Sequence, residues 1–144
     1  MTDETGNNMR LNFILDLKPQ FRSQEHLRYL FLYLRNKDLF SEIHNDDALY
    51  NFCKYIKYKG FLIGDTFESD KSTAQIGYIV IKGQVTVQSL NLDKFSKNNS
   101  NVTILKPYER MESEDLKDKE VFFKENTDLM YYSKIIYSQF ISVS

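Results

Sequence analysis

The stretch Gly77 to Gln88, GYIVIKGQVTVQ, decides how the chain is read. Two alternating apolar runs, Tyr78 to Ile81 and Gln84 to Gln88, meet at Lys82-Gly83. Tyr, Ile and Val suit a pleated, half-buried surface. A two-residue connection ending in Gly suits a tight turn, because the primed turns need φ > 0 and Gly adopts it without steric cost. The local reading is a β-hairpin.

Around that pair, helical periodicity precedes and strand periodicity follows. Ser23 to Phe40, SQEHLRYLFLYLRNKDLF, reads as a helix with Leu27, Leu30, Phe31 and Leu34 on one face. Tyr29, Leu32 and Tyr33 add apolar surface on the other side, which marks them as candidates for a partner surface. A second helix runs from Asn45 to about Tyr55, with Asn45 as its cap and Asp46-Asp47 suited to the positive helix start. Residues 1–20 read as a polar tail, frayed over the first ten. After Tyr55 the period becomes strand-like. Phe61 to Ile63 lies between Gly60 and Gly64, and VTILKP is a short strand. KEVFFKENTDLMYYS suggests two strands around Glu125-Asn126-Thr127, and KIIYSQFI returns to helical spacing. The polar NLDKFSKNNSN reads as a long loop. Helices, then many short strands, then a helix point to an antiparallel barrel or jelly roll. The expected organisation is one domain over 21–144: helical over 23–56, jelly roll over 57–133, a C-terminal helix over 134–142.

Composition bounds the function. The 144 residues carry 19 basic and 20 acidic side chains, interspersed, for a net charge of -1. No basic stripe remains for a phosphate backbone, so nucleic acid is not the expected partner. The acidic N-terminus lacks the features of a signal peptide, and no apolar run approaches the ~20 residues that span a bilayer. The expectation is an intracellular, cytoplasmic protein without membrane insertion. Cys53 is the one cysteine, at a core-facing helical position, and reads as a buried inert thiol. His26 and His44 lack metal-ligand spacing and neither falls on an expected strand, which argues against a metal-dependent enzyme on a cupin-like barrel. The sequons at Asn98 and Asn101 are read as chance.

Taken in order, DLFSEI, YKGFLIGDTF and the Tyr-Ile-x-Ile-Lys-Gly-x-Val-x-Val run resemble the front half of the cyclic nucleotide-binding domain family. The positions that carry the resemblance are Phe61, Gly64, Asp65, Tyr78, Ile79, Val80, Gly83, Val85 and Val87, with Gly64, Asp65 and Gly83 as signature turns. The loop from Thr66 to Ile76 is longer than the family's. The resemblance implies a mainly β fold, an antiparallel jelly roll flanked by N-terminal helices and a C-terminal helix. It also implies a phosphate cassette, in which backbone N–H groups at a helix start and one Arg receive the phosphate while a Glu accepts from the ribose.

The segment LKPYERMESEDLKDKEVFFKENTD occupies the cassette's place. Laid against the pattern, Glu112 stands at the ribose Glu, Met111 at the Gly, and Glu120 or Val121 at the Arg. From Glu109 to Glu120 the chain holds six acidic residues (Glu109, Glu112, Glu114, Asp115, Asp118, Glu120) against three basic ones (Arg110, Lys117, Lys119). The expected function is a non-catalytic, cyclic nucleotide-binding-like module that has lost its ligand, has no cofactor and binds protein partners, within a larger complex. The alternative is a cAMP or cGMP sensor with an altered cassette, drawing on Glu112, Arg110, Tyr78 and Lys119.

Overall fold

The computed structural model describes residues 4–67, 75–89, 102–117 and 119–142. The chain forms two compact units, Met1–Tyr58 with Tyr132–Ser144, and Lys59–Tyr131. The polar loop read over residues 91–101, with the sequon positions Asn98 and Asn101, lies outside the described residues.

In the first unit, α1 (Glu4–Asp16) replaces the expected polar tail. Leu11, Ile14 and Leu15 are buried at helical spacing, and that apolar stripe turns an otherwise polar stretch into a packed helix. A 3-10 turn over Pro19–Phe21 leads to α2 (Gln24–Asn36). Ser23 caps α2 by accepting from His26 N–H, and the His26 side chain reciprocates at Ser23 N–H. The helix stops four residues before Phe40, and Asp38 (φ 55) and Phe40 (φ 58) turn the chain through left-handed conformations. Arg35 holds the following segment through Ile43 O, His44 O and Asp46. Asn45 then caps α3 (Asp46–Phe52) by accepting from Ala48 N–H, as its sequence suggests. After α3 the chain makes a 3-10 turn over Cys53–Tyr55, and α4 (Lys134–Ser142) closes the unit. Phe40, Phe52, Tyr132 and Tyr137 pack ring against ring at 4.9–5.9 Å.

Arg22 sits at the middle of this unit, buried. Its Nε donates to Ile14 O, which also accepts from Leu17 N–H, and its Nη2 to Leu15 O, two carbonyls of the last turn of α1. Nη1 and Nη2 donate to Cys53 O and Ile56 O, each at 2.6 Å. One planar fork of donors thus ties the end of α1 to the segment after α3, a task a point-charge ammonium cannot do. Burial is the main influence on both ionisable groups here. It lowers the Arg22 pKa, and it pushes the Cys53 thiol up to about 12 while Arg22 pulls the other way.

The second unit is built from β1 (Lys57–Phe61), β2 (Ile76–Lys82), β3 (Val85–Ser89), β4 (Val102–Leu105), β5 (Arg110–Glu112), β6 (Lys119–Phe122) and β7 (Thr127–Ser133). They form a four-stranded sheet in the order β1-β7-β2-β5 and a three-stranded sheet in the order β4-β3-β6. This is the antiparallel jelly-roll class that the sequence points to. The expected hairpin is not there. β2 and β3 lie in different sheets, so Lys82-Gly83 is a corner at which the chain leaves one sheet for the other. Gly83 has φ +86, and a Cβ there would meet Asn126 O at 2.5 Å and Thr127 Oγ1 at 2.7 Å. β6 and β7 change sheets at the same place, where Thr127 Oγ1 donates to Gln84 O. The expected strand over Phe61 to Ile63 ends at Phe61. Leu62 and Ile63 lie in a turn closed by Leu62 N–H donating to Asp65 Oδ2, with Gly64 at φ +87. Between the sheets lie Phe61, Tyr78, Val80, Val85, Val87, Leu105, Met111, Leu116, Phe123 and Leu129, with Phe61 and Phe123 stacked at 4.2 Å.

Three outcomes are expected. Arg22→Lys leaves buried carbonyls unsatisfied and lowers unfolding free energy by about 3 kcal/mol in denaturant titration. Gly83→Ala meets backbone on a positive φ and costs about 3 kcal/mol, whereas Gly64→Ala, with open space around it, costs only about 1 kcal/mol of conformational strain. Cys53 resists iodoacetamide in the native protein at pH 8 and reacts once the chain is unfolded.

Candidate functional site

The segment in the cassette's place runs from β4 to β6. Its first piece is the turn Lys106–Glu109. Lys106 N–H donates to Glu109 Oε1, and Glu109 N–H donates back to Lys106 O, closing a tight loop with Tyr108 at φ +72. Two further bonds stitch this turn to β2: Tyr108 N–H to Val80 O at 2.6 Å, and Val80 N–H to Glu109 O at 3.1 Å.

β5 follows and pairs antiparallel with β2, in the register Gly77↔Glu112, Tyr78↔Met111 and Ile79↔Arg110. Alternation along a strand then sorts the side chains. Met111 and Tyr78 share the inner face and are buried among the residues between the sheets. Arg110 and Glu112 take the opposite face, Arg110 exposed and Glu112 half-buried. Next comes a 3-10 turn over Ser113–Leu116, anchored where Ile76 N–H donates to Ser113 Oγ at 3.0 Å. Glu114 and Asp115 stand in its first turn, exposed, and Leu116 is buried beside Met111 and Phe123.

Chemically, this segment does two things. It puts a thioether and a leucine side chain into the space between the sheets, and it carries the exposed carboxylates Glu114 and Asp115 on a four-residue helical turn. The residues singled out in the sequence are distributed rather than convergent. Tyr78 is interior, with Phe67 edge-on to its ring at 5.2 Å and Tyr131 at 6.3 Å. Glu112 and Arg110 lie on the other side of the same sheet. Lys119 begins β6 in the three-stranded sheet, exposed, opposite Ser89. Val121 is half-buried on the inner side, while Glu120 is exposed. Neither position offers a cation to the interior.

Of the helix residues proposed as a partner surface, Leu32 is exposed, Tyr33 is half-buried, and Tyr29 is half-buried beneath Arg10, whose guanidinium lies 4.7 Å from the ring centre. Sequence reasoning missed Arg22 entirely. Its signal was available: a lone cation between Phe21 and a helix cap, with apolar helices on either side. Among the described residues no His, Cys, Asp and Glu side chains group to hold a metal, and no helix is long and apolar enough to cross a membrane.

No protein-family model and no curated protein matches this sequence. Solved structures do. The regulatory subunit of a cAMP-independent protein kinase A from Trypanosoma cruzi, bound to guanosine, matches with a TM-score of 0.58 and 12% identity, over 81% of this chain and 44% of that one. The regulatory domain of Toxoplasma gondii PKA, crystallised with cAMP, matches with a TM-score of 0.57 and 10% identity, over 79% and 45%. The heme domain of CooA from Carboxydothermus hydrogenoformans matches with a TM-score of 0.51 and 13% identity, over 79% and 73%. The chain spans less than half of the kinase regulatory chains it resembles. At such identities the likeness is one of architecture, and it agrees with the order of strands, corners and flanking helices described above: the chain has the fold of a cyclic nucleotide-binding domain.

Proposed function

We propose that this chain is a non-catalytic interaction module that retains the cyclic nucleotide-binding fold without a working nucleotide site. The observation that carries this reading is the segment from Lys106 to Phe122. Met111 and Leu116 fill the space between the sheets, and the acidic side chains Glu114, Asp115 and Glu120 are exposed around it.

The energetics favour loss of the ligand. Removing one partner of a buried, hydrogen-bonded charge pair costs ~2–5 kcal/mol, or roughly 30-fold to several thousand-fold in affinity. The carboxylates of the segment add repulsion to a phosphate. Arg110 lies on the face of β5 opposite the buried Met111, and Lys119, next to Glu120, is exposed. The trypanosomal regulatory subunits with which the chain shares its fold are cAMP-independent, which supports the idea that this architecture works without that ligand. The binding of protein partners, within a larger complex, follows from the apolar surface the chain leaves exposed, such as Leu32.

The test is a thermal-shift titration of the chain with cAMP, cGMP and guanosine. A ligand at 100 times its Kd adds about 2.7 kcal/mol of stability. The expected result is a melting temperature that does not change with any of the three up to millimolar concentration. A rise that grows with concentration identifies a nucleotide sensor and overturns the proposal.

A further inference from the structure

The outer face of the three-stranded sheet carries apolar and charged side chains in an order set by register. Val85 and Val87 are buried between the sheets, so Thr86 between them belongs to the other face. Its cross-strand neighbours there are Ile104 on β4 and Phe122 on β6. In the row on one side, Gln88 lies between Val102 and Glu120. On the other side, past the strand ends, Lys106 and Lys124 continue the alternation after the buried Leu105 and Phe123, and both are exposed. Ile104 is 47% exposed, Val102 44% and Phe122 39%, and Thr86 forms the buried floor between its neighbours. Contiguous exposed apolar side chains of this kind mark an interaction surface.

The charges on this face stand at opposite ends. Lys106 and Lys124 are at one end and Glu120 at the other, with the row of Ile104, Thr86 and Phe122 between them. Lys124 and Glu120 follow one strand line, each two residues from Phe122. Neither makes an ion pair among the described residues. A surface whose charge reverses about its own centre fits its own image. Turned through half a revolution about an axis along the Ile104–Phe122 row, a second copy sets its Glu120 over Lys124 and its Lys124 over Glu120. That is the reciprocity of a twofold contact. Phe122 then meets Phe122, and Ile104 meets Ile104. The other face-to-face arrangement, turned about the strand direction, lays Lys124 over Lys106 of the second copy and is repelled.

We infer that the chain associates with a second copy of itself through this face, as a weak twofold dimer. Contact among Val102, Ile104 and Phe122 supplies the attraction, and two Lys124–Glu120 pairs fix the orientation. Exposed ion pairs add little affinity but discriminate between arrangements. Sheets stack in this aligned manner about 10 Å apart, within reach of lysine and glutamate side chains. A face three strands wide makes a smaller contact than the ~800 Å² per partner of a standard interface, so the dimer belongs to the weak, reversible class. The inference goes beyond the interaction-module reading and does not depend on the state of the nucleotide site.

The experiment is sedimentation equilibrium and NMR on the full chain from about 10 μM to about 1 mM, the range in which weak contacts form. The expected result is a monomer–dimer equilibrium in which the Thr86, Ile104 and Phe122 signals move as concentration rises. Glu120→Lys or Lys124→Glu alone places like charges across the axis and weakens the dimer about tenfold. Mixed in equal amounts, the two variants again oppose lysine to glutamate at both sites, and association returns to within about twofold of the original. The double variant Glu120→Lys with Lys124→Glu keeps both pairs and associates as the original chain does. Both positions are exposed, and melting curves establish that the variants fold. A chain that stays monomeric throughout, or signals that move elsewhere, overturns the proposal. So do single variants that associate undiminished, or a mixture that gains nothing over them. A melting temperature that rises with nucleotide defeats the lost-site reading and leaves the dimer standing.

Discussion

The β unit depends on one close approach, the backbone of Gly83 against Asn126 and Thr127. Two of the four crossings between the sheets meet at this point, one from β2 to β3 and the other from β6 to β7. A side chain at position 83 has nowhere to go, and the conformation there, φ +86, is one that L side chains rarely adopt. Thr127 completes the junction with its hydroxyl within 3.0 Å of Gln84 O and 2.9 Å of Glu125 O, so the two corners are bonded to each other. Packing Val85 and Val87 across from Tyr78 and Val80 requires the chain to change sheets within two residues, and only this junction lets it.

The helical unit has a different organiser. Arg22 satisfies four backbone carbonyls at once, two at the end of α1 and two after α3. Carbonyls at helix ends lack partners and carry the negative end of the helix dipole, so a guanidinium is well matched to them electrically as well as geometrically. The same burial that makes these bonds strong keeps the neighbouring Cys53 thiol protonated. A cysteine in such surroundings is a packing residue rather than a nucleophile.

Strand alternation alone places Met111 inside and Arg110 and Glu112 outside. A leucine on the next turn then occupies the interior beside Phe123. The outward-facing surfaces differ in character. The helical residues Tyr29 and Tyr33 are half-buried, the former beneath Arg10, whereas the outer sheet face pairs exposed apolar side chains with a buried hydroxyl and a carboxylate.

Much of the architecture was legible in the residues themselves. The caps at Ser23 and Asn45, the C-terminal helix, the strand character after Tyr55, the need for glycine where the chain turns at Gly64 and Gly83, and the acidic bias of the segment from Glu109 to Glu120 all follow from local propensity, spacing and charge, which act over a few residues. Other features were decided only by tertiary structure. VIKGQV reads locally as a hairpin, and nothing within it reveals that its two strands pair with different partners, because sheet membership is set by contacts with Thr127 and by strands distant in sequence. The N-terminal helix is masked by polar neighbours until its three buried residues meet their packing surface. The four carbonyl partners of Arg22 were likewise decided only by the fold, since the sequence marks a cation between apolar helices but not the groups it meets.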